Sequence, residues 1–175
     1  MSPQFSSVFY FTPGQEGVER RIDVVSMAIQ MKGTVQNLAQ AELCYAPQFG
    51  AAKDPVNMLG FIATNALQQN APLSDWKIVP HPSELAPIRD YILDVRTIRE
   101  YTAQSVPQAV NIPLDSLRSR LEEVPRDAVV NVMCQGGQRA YYAVRILRQN
   151  GFDARFLSGG MNTYCMREGI AVVKP

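Results

Sequence analysis

In the second half of the chain, short apolar runs alternate with stretches in which apolar residues recur every three or four positions. The runs "YILDV", "AVNI", "AVVNVM" and "ARFL" are short and rich in β-branched residues, which predicts buried strands. Helices fit the gaps. "TIREYTAQ" opens with Thr97 and Glu100, the spacing of a capping box in which each side chain satisfies a free amide at the helix start. "LDSLRSRLEEV" puts Leu114, Leu117 and Leu121 on one face. "RAYYAVRILRQNG" does the same with Ala140, Ala143, Val144 and Leu147, then stops at Gly151. Strands alternating with helices predict an α/β fold, a parallel sheet with helices on both faces.

The first half has a different pattern. "RRIDVVSMAIQM" carries Val25, Ala28 and Ile29 at helical spacing, and "PVNMLGFIATNALQQ" carries Met58, Phe61, Ile62, Asn65 and Ala66. Between them "CYAPQFGAAKDP" is broken by two prolines and a glycine. The polar stretch from Gln68 to Trp76 marks a linker, which predicts a mainly helical segment over 1–75 and an α/β domain over 76–175. Two or three helices without a closed core predict an apolar face that needs a partner surface.

Composition narrows the functions. At 175 residues and 46% hydrophobic content, the chain holds one ordinary core with an appendage. Its net charge of +1 gives no general attraction to nucleic acid or to anionic lipid. The apolar runs fall well short of the ~18 residues a membrane helix requires. The opening "MSPQFSSVFYFTPG" lacks a basic start and a long apolar centre, so a cytoplasmic location is expected. Cys44, Cys134 and Cys165 are too scattered for a disulfide framework, no CxxC pair suggests zinc, and His81 is the single histidine. Free thiols and no metal are the expectation.

Cys134 stands where the strand run "AVVNVM" ends and a helical pattern is about to begin, the place where open parallel sheets keep their chemistry. Gly136 and Gly137 permit a loop in which the amides from Gln135 to Arg139 curl into a nest for negative charge. The following helix adds its positive end. An ordinary thiol is only about 3% ionised at pH 7, and a nest, a helix end and the Arg139 cation together favour the thiolate. A cysteine closing an apolar strand is also ordinary core filling. Filling needs neither an amide nest nor a cation, which puts a reactive role on an equal footing with a packing one.

Residues from about Pro80 to Val173 resemble a rhodanese domain through "ILDVR", "VPQAVNIPLDSL", "CQGGQR" and "LSGGMNTY", four motifs in the family's order. The resemblance implies a five-stranded parallel sheet and a loop cysteine, Cys134, that accepts a sulfane sulfur as a persulfide and passes it to a thiol or to cyanide. Gln135, Gly136, Gly137 and Gln138 match the substrate-binding loop, and Arg139 the family's frequent cation. Asp94 and Arg96 match the motif ending the second strand, and Ser158, Gly159 and Gly160 match the turn bordering the site. An equally fair structural role is open for these: Asp94 as a helix cap and the glycines as a tight corner. Family members usually read His-Ile-Pro-Gly-Ala where this chain has Ser105 to Ala109, so the histidine and the turn glycine are replaced. Related phosphatases and arsenate reductases have five residues between cysteine and arginine. Here there are four, which fits a cradle for one sulfur atom and disfavours phosphate chemistry. Donors of the expected class are thiosulfate, a polysulfide or a small persulfide, with no metal or organic cofactor.

Glu19 to Leu67 resembles the end of the dimerisation domain of the coenzyme A disulfide reductase family, some members of which carry a C-terminal rhodanese domain. Tyr45 to Pro47 match a segment that lies near the neighbouring subunit's active site in that family. No GxGxxG fingerprint is present, so neither FAD nor NAD(P)H is expected to bind. Cys44 and Tyr45 are then expected to be packing residues. The resemblance implies either a homodimer through residues 20–67 or docking onto a separate disulfide reductase. Cys165, close to the "SGG" turn, is either a packed helix position or a resolving thiol for Cys134.

Overall fold

The computed structural model describes residues 17–46, 48, 52–79 and 90–173; His81 and Pro47 lie outside the described residues. The chain forms two compact units that meet in sequence between Gln68 and Gln69.

The first unit contains helices α1 (Val18–Gln30), α2 (Val35–Gln40) and α3 (Pro55–Leu67). Thr34 caps α2 and Asp54 caps α3, each in a capping box closed by an asparagine three residues on. The core is small: Val25, Leu38 and Val56, with Val24, Ala28, Ile29 and Leu43 packed against it. α2 and α3 approach so closely that a Cβ on Gly60 would overlap the Ala39 backbone. Buried Asn57 donates from Nδ2 to the carbonyls of Leu38 (3.1 Å) and Ala41 (2.8 Å), which closes the end of α2. The apolar stripe expected on α3 therefore points elsewhere. Val56, Asn57 and Gly60 face the core, whereas Met58, Leu59 and Ile62 are exposed.

The second unit is a five-stranded, wholly parallel sheet of β1 (Leu73–Ser74), β2 (Tyr91–Asp94), β3 (Val110–Asn111), β4 (Val130–Met133) and β5 (Ala154–Leu157), in the order β1-β5-β4-β2-β3. The sheet expected from the motifs is present. Its first strand lies inside the stretch read as a linker, where Leu73 and Ser74 pair with Phe156 and Leu157. Helices α4 (Ile98–Ala103), α5 (Leu114–Leu117), α6 (Gln138–Gln149) and α7 (Gly160–Glu168) complete it. The leucine stripe after Pro113 is split into α5 and a separate 3₁₀ turn at Leu121–Glu123.

Successive strand residues point to opposite faces and feed two cores. Leu93, Val130, Val132, Ala154 and Phe156 pack with Ala140, Ala143, Val144 and Leu147 of α6. Ile92, Met133 and Leu157 pack with Met161, Tyr164 and Cys165 of α7. β4 lies between β2 and β5, and all four of its residues are buried. A strand so enclosed fixes whatever follows it, and Cys134 follows it.

Candidate active site

Two neighbouring segments hold the loop after β4. The end of β2 is tied to it by the Val95 amide, which donates to the Met133 carbonyl at 3.0 Å. The start of α7 supplies two amides that the helix leaves without internal partners. Met161 N–H donates to the Cys134 carbonyl (2.8 Å) and Asn162 N–H to the Gln135 carbonyl (3.1 Å). This approach depends on the Gly159-Gly160 corner, with φ of 73° and 55°. A Cβ on Gly160 would overlap the Cys134 carbonyl, so the second glycine is there for contact as well as for conformation.

Cys134 is only 1% exposed, and its Sγ accepts a hydrogen bond from the Gly137 amide at 3.0 Å. Gly137 reaches this position with φ 121°, a conformation few other residues adopt, and then precedes the first turn of α6. Gly136 does not take a left-handed backbone, so one of the two loop glycines carries the conformational requirement. The amide and the helix start both place positive potential at the sulfur, and a thiolate or persulfide anion accepts such a bond more strongly than a thiol.

Asp94 and Arg96 form a buried ion pair, 0% and 1% exposed. Asp94 Oδ1 accepts the Arg96 amide (2.9 Å), and the guanidinium returns to the carboxylate through Nε and Nη2. Asp94 thus organises Arg96, while Thr97 caps α4 as its spacing to Glu100 predicts. Arg96 also donates to the Gln104 carbonyl (2.6 Å) and to Gln135 Oε1 (3.3 Å). Gln135 Nε2 in turn donates to Asn162 Oδ1 at 2.8 Å. The first side chain of the loop is therefore held between β2 and α7, by partners that no local spacing announces.

Arg139 is engaged too. Its Nη1 and Nη2 donate to the two carboxylate oxygens of Glu100 at 2.7 and 2.6 Å. Glu100 also accepts from the Thr97 amide (2.9 Å) and hydroxyl (2.8 Å). The guanidinium is the main reason the Glu100 carboxyl is held down at about 2. Gln138 and Ser158 are exposed, and the Ser158 carbonyl accepts from the Trp76 indole N–H at 2.8 Å. Cys165 is buried in the α7 core, apart from the core that contains Cys134, and burial pushes its thiol up. Cys44 is exposed; all three cysteines are free.

Comparison with known proteins agrees with the fold. The model of the Rhodanese-like domain matches residues 81–167. A protein named "Sulfurtransferase" from Allochromatium vinosum is 33% identical over 93 residues, 52% of this chain and 86% of that relative. The chain belongs to the rhodanese-like family. Beyond its rhodanese-like domain it is also similar to far larger proteins. Coenzyme A disulfide reductase from Staphylococcus aureus (strain bovine RF122 / ET3-1) is 48% identical over 50 residues, 29% of this chain but 11% of the reductase. The crystal structure of reduced Bacillus anthracis CoADR-RHD matches with a TM-score of 0.78 and 38% identity, over 86% of this chain and 26% of that one. An NAD-Dependent Persulfide Reductase from A. fulgidus matches with a TM-score of 0.73 and 36% identity over the same shares. The chain thus spans about a quarter of these two structures and about a tenth of the reductase.

Proposed function

We propose that this rhodanese-like chain is a sulfurtransferase that carries sulfane sulfur as a persulfide on Cys134. The observation that carries this is the Gly137 amide 3.0 Å from a buried Sγ, at the junction of a central strand and a helix start. In the first step the Cys134 thiolate attacks the outer sulfur of a donor. The donor's S–S bond breaks, and its electron pair leaves on sulfite or on a thiolate. The loop amide steadies the sulfur anion that results. In the second step a thiol or cyanide attacks the outer sulfur and regenerates Cys134. Arg96 and Asp94 keep Gln135 and the loop backbone in place, and Arg139 sets the charge beside the sulfur. Sulfur transfer from thiosulfate or a persulfide to cyanide should be abolished in Cys134→Ser and retained in Cys44→Ser and Cys165→Ser. Transfer that survives Cys134→Ser contradicts the proposal.

A second role is supported by the helical unit. Met58, Leu59 and Ile62 on α3 are exposed, and the chain shares 50 residues at 48% identity with a coenzyme A disulfide reductase. Residues 20–67 are then either the surface of a homodimer or the surface that docks onto such a reductase. Size-exclusion chromatography of the chain alone, and mixed with a reductase at micromolar concentration, separates the two. A monomer that does not co-elute contradicts both.

A further inference from the structure

Arg96 and Arg139 both bear on the Cys134 site, and a carboxylate already holds each: Asp94 in the first case, Glu100 in the second. The loop from Cys134 to Gln138 has no charged side chain of its own. A donor entering this site meets hydrogen-bond donors and compensated cations. We propose that Glu100 is a specificity-determining residue: by gripping Arg139 in a two-pronged ion pair it withholds a free positive charge and favours a persulfide donor over dianionic thiosulfate. The inference rests on sulfur transfer at Cys134, as proposed above, and deepens it by assigning the donor's charge class.

The geometry makes the grip firm. Two parallel N–H···O bonds of 2.7 and 2.6 Å use the planar fork of the guanidinium. Glu100 is also the N-terminal anchor of α4 through Thr97, so its carboxylate cannot follow Arg139 elsewhere without uncapping that helix. With its carboxyl held at about 2, Glu100 stays ionised at any working pH. Arg139 nonetheless lies in the first turn of α6, two positions after Gly137, whose amide reaches the Cys134 sulfur at 3.0 Å. Neutralising or freeing it changes what the sulfur and its attacker experience.

The two donors make different demands on that charge. With thiosulfate, a lone pair of the Cys134 thiolate forms the new S–S bond, the old one breaks, and its electron pair leaves as sulfite. One negative charge meets two, and a free cation would offset the crowding. With a persulfide R–S–SH, the terminal sulfur keeps its proton as it moves to Cys134 and the pair leaves on R–S⁻. With an uncharged R group the total charge is a single negative throughout. A compensated pocket penalises the first path more than the second.

The test measures the second-order rate at which Cys134 gains one sulfur, by intact mass, with thiosulfate and with 2-mercaptoethanol persulfide, whose remaining groups carry no charge. Glu100→Gln keeps an oxygen for the α4 cap and removes the charge. The thiosulfate-to-persulfide rate ratio should rise about tenfold, and the rise should shrink in high salt. In Glu100→Gln/Arg139→Gln the ratio should return to the wild-type value, and in Arg139→Gln alone, where Glu100 is left uncompensated, it should fall below it. An unchanged ratio in folded Glu100→Gln overturns the inference while sulfur transfer stands, as does a rise that persists in the double variant. Should Glu100→Gln not fold, an unchanged ratio in Arg139→Gln overturns it equally. Wild type that gains sulfur from neither donor overturns both.

Discussion

Two ion pairs serve the loop after Cys134, and they differ mainly in burial. Asp94 and Arg96 are withdrawn from water, at 0% and 1% exposure, whereas Glu100 and Arg139 retain 16% and 33%. Arg96 spends its donors on Asp94, the Gln104 carbonyl and Gln135, so it is fixed from several sides. Arg139 has one partner, Glu100, among the hydrogen bonds described for it. Burial makes the first pair a scaffold, because either partner alone would be a stranded charge. Partial exposure makes the second adjustable, because water can compensate whichever partner remains.

The largest effect should come from breaking the scaffold. Arg96→Met leaves the Asp94 carboxylate buried without its cation, and should cost about 3–5 kcal/mol in denaturant unfolding. It should also abolish sulfur loading of Cys134, because Gln135 loses one of its two holders. Removing the outer pair should cost much less. Glu100→Gln should lose about 1–2 kcal/mol at pH 7 after solvent screening, and the loss should depend on pH. Arg139 chiefly, together with the Thr97 hydrogen bonds, lowers the Glu100 carboxyl from an ordinary 4.5 to about 2. The stability this contributes is complete above the unfolded value and disappears as pH falls through the folded one. The stability gap between wild type and Glu100→Gln should therefore be constant from pH 7 to about 5 and close by about pH 2. A gap that does not narrow in acid would mean that the pair contributes little.

The smallest effect concerns the turn before β3. Gln108 holds φ at 61°, a left-handed backbone that favours glycine, at the position where the family usually has one. Gln108→Gly should raise stability by about 1 kcal/mol. The Asp94–Arg96 pair and sulfur transfer should be unaffected, and thermal unfolding together with the loading rate checks both.

The sheet and the cysteine loop were legible because their signals are local. "AVVNVM" followed by Cys134 and two glycines brings strand, cysteine and helix start close together in the chain, and the Thr97 box names its own helix. What was not legible is set by distant partners. β1 is only Leu73–Ser74, a pair too short to show a period, and exists because β5 offers an edge. α3 turns Gly60 and Asn57 inward because Ala39 and the end of α2 require a close approach and two amide bonds; an apolar count favours Met58 and Ile62 instead. Arg139 reads as a cation for the sulfur until Glu100, 39 positions earlier, is found gripping it. Glu100 was visible only as a helix cap, and its second role depends on the ion pair that joins α4 to the first turn of α6.

Peptide mapping after reaction with a persulfide donor reads out which thiol carries the sulfur, since Cys44, Cys134 and Cys165 fall at separate places in the chain. One added sulfur is expected on the peptide containing Cys134 while Cys165 stays unmodified and Cys44 gains none at stoichiometric donor. Sulfur recovered on Cys44 or Cys165, with Cys134 unchanged, would contradict it.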